Sequence, residues 1–190
     1  MSSTIISRPV TPVPRGTTIC VVGACGTGKS SFVRLFIELF QQHYDWKACS
    51  YSTRRENFTE NHFSNWLTII NTPGLEQWDS KPDLPPVDLF VYCARADQDF
   101  TTTDAKCLWN FNDYLGSGVW EGQTMVLLSF ADNVRPLEMP PMLALEKKVY
   151  EYQSCNEHAP KLVVTMDFSN VLSSSAALFS ALQLAGGYCY

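Results

Sequence analysis

No stretch of this 190-residue chain approaches the roughly 18 consecutive apolar residues that a membrane-spanning helix requires. The polar start Met1-Ser2-Ser3-Thr4 has no signal-peptide pattern, and the tail Gly186-Gly187-Tyr188-Cys189-Tyr190 carries no prenylation box. These absences predict a cytoplasmic chain without a transmembrane segment, reaching a membrane only through partners. Basic clusters are missing too, none being longer than Arg54-Arg55 or Lys147-Lys148, and the formal net charge is -5. A nucleic-acid surface needs concentrated positive charge, so nucleic acid is excluded as the main partner. The seven cysteines form no C-x-x-C pair and are odd in number, which indicates neither a zinc site nor a disulfide framework but reduced thiols. His43, His62 and His158 lie too far apart for metal-ligand spacing. The arginines are scattered, whereas a small-molecule kinase needs an arginine-rich lid, and no internal repeat is visible.

With 45% hydrophobic and 17% charged residues, the chain has the balance of one globular domain with a proper core. Residues 1–15, with Pro9, Pro12 and Pro14, read as a flexible arm, and 16–190 as a single domain. Behind the apolar run Thr18-Ile19-Cys20-Val21-Val22 stands Gly23-Ala24-Cys25-Gly26-Thr27-Gly28-Lys29-Ser30, followed by Ser31 and a helix pattern. This is the full phosphate-loop pattern G-x-x-x-x-G-K-S in its strand-to-helix context. Its glycines reach backbone angles barred to other residues, so successive N–H groups turn inward around phosphates at the positive end of a helix. Lys29 would reach the β- and γ-phosphates, and the Ser30 hydroxyl would ligate Mg²⁺. Cys25 is either a reactive thiol or an ordinary loop residue; no neighbour in sequence marks it as activated.

Hydrophobic spacing predicts a helix from Phe32 to about Gln42, then a polar stretch over 45–63 read as a mobile, switch-like loop around a short edge strand. Near-continuous apolar runs predict buried parallel strands over 66–70, 87–93, 123–129 and 161–165. Helices are predicted over 103–114, 141–153 and 173–184. The alternation implies a three-layer, doubly wound α/β fold with a mostly parallel sheet of about six strands, a P-loop NTPase of the G-domain type, whose ligand lies at the carboxyl ends of the strands.

Asn71-Thr72-Pro73-Gly74 ends one such strand, where a nucleotide switch protein keeps a D-x-x-G element. Gly74 would offer its N–H to the γ-phosphate, while Asn71, a neutral amide, would hold Mg²⁺ less firmly than an aspartate; the alternative is a plain Pro-Gly turn. Thr53 is the candidate switch threonine for Mg²⁺, with Ser52 and Thr59 as competitors. Ser129-Phe130-Ala131-Asp132 stands where a base-reading element belongs. An aspartate there accepts from N1–H and the exocyclic amine of guanine, a donor pair adenine lacks, so Asp132 argues for GTP; as an isolated S-x-x-D it also fits a helix cap. Asp167, in Met166-Asp167-Phe168, is the candidate for the last base-contacting loop. Asp88 lies at the amino end of its strand and reads as structural. The tryptophans are core or dimer-face candidates, with Trp78 the one that an exposed switch loop would present to a partner.

With these motifs in place, the order of elements resembles a translation-factor-class GTPase. Phe100-Thr101-Thr102-Thr103-Asp104, Gly116-Ser117-Gly118-Val119-Trp120 and Ser129-Phe130-Ala131-Asp132 are similar to elements of the branch that holds the GTPases of immunity-associated proteins and the chloroplast import receptor GTPases. The resemblance, over roughly residues 17–170, implies GTP/GDP and Mg²⁺ as ligands and a homodimer through the nucleotide face. It also implies a protein effector and catalysis without a water-orienting glutamine after Gly74. Some relatives supply an arginine across the dimer where Thr101 stands here; Arg95, a few residues earlier, is the candidate substitute, with a salt-bridged surface arginine as the alternative. Asn71 and Phe130 depart from the branch's aspartate and histidine or lysine. The leading expectation is a GTP-binding switch with slow or dimer-stimulated hydrolysis; a non-hydrolysing binding module and a P-loop kinase are the alternatives.

Overall fold

The computed structural model describes residues 16–40, 47–53, 57–63, 67–133, 147, 150–151, 159–168 and 171–186. The proposed arm over 1–15 and most of the helix expected over 141–153 lie outside the described residues. Seven strands form one sheet: β1 (Thr17–Gly23), β2 (Lys47–Thr53), β3 (Asn57–Phe63), β4 (Leu67–Asn71), β5 (Leu89–Arg95), β6 (Thr124–Ser129) and β7 (Leu162–Met166). Their spatial order is β2-β3-β4-β1-β5-β6-β7. From β4 to β7 all neighbours are parallel, while β3 pairs antiparallel with both β2 and β4. Helices among the described residues include α1 (Lys29–Phe40), α2 (Thr102–Leu115), α3 (Ser117–Gln123) and α4 (Val171–Gly186), and Lys147, Tyr150 and Glu151 are helical as well.

The apolar runs are continuous because both faces of the parallel sheet are covered. Along β1, Ile19 and Val21 pack with Phe32 and Phe36 of α1 and Leu178 of α4 on one side. Cys20 and Val22 face the opposite side, with Phe111 of α2 and Trp120 of α3. On that second side Tyr92, Phe111 and Trp120 meet edge to face, with ring centroids 5.4 to 5.7 Å apart. Such contacts contribute about 0.5–1.5 kcal/mol each beyond the area they bury.

Two expectations need correction. Within 45–63 the described residues form two antiparallel strands, β2 and β3, rather than one short edge strand, with Thr53 paired to Asn57 and Glu60 to Asn71. The sheet among the described residues has seven strands, against the expected six or so. Helix α3 was not anticipated either, because its seven residues, SGVWEGQ, include two glycines and only one buried side chain, Trp120. Helix α2 begins slightly earlier than its spacing suggests. Thr101 caps it, its hydroxyl accepting from the Asp104 N–H while Asp104 accepts from the Thr101 N–H, a reciprocal capping box. Gly116, at φ +96°, supplies the left-handed turn from α2 into α3.

Register brings the carboxyl ends of the parallel strands into one row. Val21 pairs with Asn71 and Gly23 with Cys93; Ser129 pairs with Arg95 on one side and Met166 on the other. Asp88 lies at the far edge, its backbone N–H donating to the Thr18 carbonyl (2.9 Å) and its carboxylate accepting from the Thr18 N–H (2.7 Å), so it ties β5 to β1.

Candidate functional site

The loop after β1 turns because Gly23 takes φ +138°, and a β-carbon there would overlap the Cys93 carbonyl on β5. Only glycine allows that approach. Lys29 then folds back under the loop, buried, its Nζ donating to the carbonyls of Gly23 (3.1 Å) and Ala24 (2.6 Å). Thr27 Oγ1 donates to the Ala24 carbonyl at 2.8 Å. Gly26 and Gly28 both have positive φ, and Phe32 N–H donates to the Gly28 carbonyl as α1 begins.

At the end of β4, Asn71 Nδ2 donates to Ser30 Oγ at 3.0 Å, joining the two candidate Mg²⁺ ligands directly. Thr72 holds the strand end to β1 through its hydroxyl and N–H, both donated to the Val21 carbonyl. Thr53 ends β2. Past Gly74 the chain makes a single 3-10 turn, Leu75–Gln77. Its Glu76 reaches back across 51 residues of sequence, Oε1 accepting from the Cys25 N–H at 2.9 Å. Gln77 Nε2 donates to Cys25 Sγ (3.0 Å) and the Cys107 thiol to Glu76 Oε2 (3.5 Å).

The hydrogen bond to Glu76 and partial burial raise the Cys25 thiol above its ordinary pKa. Though exposed in the phosphate loop, it is thus a protonated donor rather than an activated nucleophile. For Glu76 partial burial opposes the charge, but hydrogen bonds from the Cys25 thiol, backbone N–H groups and the Cys107 thiol outweigh it and hold the carboxyl below its usual range. Cys20 and Cys93 are buried core thiols, both pushed up by burial, Cys93 to about 12. The described residues contain no cluster of three or more His, Cys, Asp or Glu able to hold a metal ion.

The end of the site beyond β6 and β7 is built by rings. Ser129 Oγ lies within hydrogen-bond reach of the Thr27 carbonyl (2.8 Å) and the Ala94 carbonyl (3.0 Å), joining the end of β6 to the phosphate loop. Phe130 follows at φ +56°, a strained conformation for a bulky residue and one that concentrates at functional positions. Its ring meets Phe168 edge to face at 5.1 Å, with the Arg95 guanidinium 4.3 Å from its centroid. Phe168 lies on Gly28, where a β-carbon would stand 2.7 Å from the ring. Arg95 is also paired with Asp97 through two bonds of 2.9 and 2.7 Å. Asp132 lies in the short 3-10 turn Ala131–Asn133 directly beyond β6. Asp167 follows β7, its carbonyl accepting from Ser174 Oγ. Gly23, Ala24, Cys25, Lys29, Ser30, Asn71, Gly74, Arg95, Ser129, Asp132 and Asp167 thus stand at or just beyond the strand ends of the parallel sheet; Thr53 is the last residue of β2.

Sequence reasoning gave no role to Glu76 or Phe168. Neither contact has a local signature, since each closes across a large sequence separation. Phe168 carried one hint, its place in a short polar-aromatic turn after the last strand. Trp78, the tryptophan considered for an exposed loop, is buried; Trp109 on α2 is instead 74% exposed.

In comparisons of structure, Toc33 from Arabidopsis thaliana in complex with GDP and Mg²⁺ matches with TM-score 0.61 at 16% identity, over 89% of this chain and 84% of that one. The chain shares the α/β fold of Toc33. A Toc33 structure from work on dimerization and the GTPase activity of chloroplast translocon components matches at TM-score 0.59 and 16% identity, over 88% of this chain and 83% of that one. The translation elongation factor SelB from Methanococcus maripaludis, bound to a GTP analogue, matches at TM-score 0.51 and 11% identity, over 87% of this chain and 33% of its own. In sequence, no protein-family model and no curated protein matches. No helix among the described residues is long and apolar enough to cross a membrane.

Proposed function

We propose that this chain binds GTP and GDP as a nucleotide-dependent switch in the cytoplasm, with hydrolysis that is slow unless a second copy or a partner stimulates it. The observation that carries the reading is the bond from Ser129 Oγ to the Thr27 carbonyl. It fixes the strand end that leads into Asp132 against the phosphate loop, so that one nucleotide spans both: phosphates on the N–H groups of residues 24–31 with Lys29, guanine at Asp132 and Asp167.

Ser30 and Asn71 would hold Mg²⁺, with Thr53 as the switch ligand. Two neutral side chains already bonded to each other fit a weakly held ion that draws most of its ligands from phosphate and water. Held there, the ion would supply positive charge against the phosphates. Leu75 stands after Gly74 in place of a water-orienting glutamine, so intrinsic turnover should be low, on the order of 10⁻⁴ to 10⁻² per second. Dimerization is named as important for the GTPase activity of the Toc33 comparison protein, and a homodimer through the nucleotide face is the corresponding arrangement here. Arg95 would reach a partner's phosphates only after leaving Asp97 and Phe130.

Isothermal titration with GDP, GTP and ATP in Mg²⁺ tests the reading. Guanine nucleotides should bind at least about tenfold more tightly than ATP; equal ATP affinity, or no binding of any of the three, overturns it.

A further inference from the structure

On this reading two backbone segments would close on the terminal phosphate of a triphosphate, the loop around Cys25 and the turn at Gly74. A side chain stands between them. The Glu76 carboxylate accepts from the Cys25 N–H at 2.9 Å, and a β-carbon on Gly74 would overlap that same carboxylate. The Cys107 thiol on α2 holds its other oxygen, and Gln77 secures Cys25 from the side. Lys29 makes its hydrogen bonds elsewhere, its Nζ donating to the Gly23 and Ala24 carbonyls.

We propose that Glu76 is an internal anion lodged in the γ-phosphate grip, so that the chain favours the diphosphate and a triphosphate must expel the carboxylate to bind. This rests on the guanine-nucleotide reading above. Two like charges contending for one partly buried position repel strongly, enough for more than a tenfold difference in affinity. A diphosphate ends short of the grip and leaves Glu76 in place. Expulsion also has a mechanical consequence: the 75–77 turn is tied to α2 by Asn110 Nδ2 on the Leu75 carbonyl (2.8 Å) and Lys106 Nζ on the Glu76 carbonyl (3.4 Å). Moving Glu76 therefore loads the helix that carries the exposed Trp109.

The test is titration of GDP and GTP, with Mg²⁺, into the wild-type chain, Glu76→Gln and Glu76→Ala, each checked for folding by its thermal melt. Glutamine keeps the size and the acceptor for Cys25 N–H while removing the charge; alanine removes both. The wild type should bind GDP at least about tenfold more tightly than GTP, and both variants should narrow that ratio to about threefold or less by gaining GTP affinity alone. An unchanged ratio, or equal losses for both nucleotides as a merely structural role would give, overturns the role of Glu76 and leaves the guanine-nucleotide reading standing. No binding of either nucleotide by any of the three proteins overturns both.

Discussion

At the phosphate end of the cleft the chain satisfies itself with directional polar bonds, Lys29 on two carbonyls, Asn71 on Ser30 and Glu76 on the Cys25 N–H. At the base end the work is done by Phe130, Phe168 and the Arg95 guanidinium stacked over one of them. The difference bears on what each end can discriminate. On the proposed reading, hydrogen bonds to carbonyls and a carboxylate would exchange with phosphate oxygens, so that end would respond to the number and charge of phosphates. The rings at the other end would respond to the presence of a flat base, and choice among bases would fall to Asp132.

The sharpest break in this comparison is Lys29→Ala. The ammonium is buried and would exchange two carbonyl partners for phosphate oxygens. A hydrogen bond to a charged group contributes about 1.5–3 kcal/mol, so GDP and GTP affinities should fall together by about 10- to 150-fold in calorimetric titration. A loss of less than about threefold would mean that the phosphates lie elsewhere.

Phe168→Ala probes the opposite end and should have a smaller effect. Stacking of a base on an aromatic ring contributes about 1–3 kcal/mol, and the Phe130 ring remains, so the lower part of that range applies: about tenfold weaker binding of GDP and GTP alike. An altered GDP-to-GTP ratio in this variant would contradict the division of labour, because phosphate number should be read only at Glu76. Unchanged affinity would remove Phe168 from the site.

The same division explains what was legible in the sequence. Strands β1, β4, β5 and β6 announced themselves because burial on both faces demands continuous apolar runs, and the partly buried edge strand β7 still showed one; the observed ends of all five differ from the expected ones by at most two residues. The loop at Gly23–Ser30 was legible because a tight backbone approach to the Cys93 carbonyl requires glycine at a fixed place. The antiparallel pair β2–β3 was not, since NFTENHF in β3 is polar and carries no strict alternation, and its pairing is set by the neighbouring strand rather than by its own pattern. Glu76 on Cys25 and Phe168 on Gly28 were illegible for a related reason: each is a tertiary contact made by a residue type common in turns.

The smallest expected effect separates the charge of Glu76 from its shape. Its hydrogen bonds hold the folded carboxyl below the usual range despite partial burial, so the folded chain binds fewer protons there than the unfolded one. The resulting stabilisation is present above the ordinary carboxylate range and is lost as pH falls through the folded value. Because the group is largely solvated, the gain is small, at most about 2 °C in melting temperature for a chain of this size. Wild type should therefore melt slightly above Glu76→Gln near neutral pH, and the gap should close as the pH falls from about 5 through the folded value, while contributions common to both proteins cancel. A gap that persists unchanged into acid would assign the stabilisation to the shape of the side chain rather than to its charge. The internal anion at the phosphate end would then have to be argued from nucleotide titration alone.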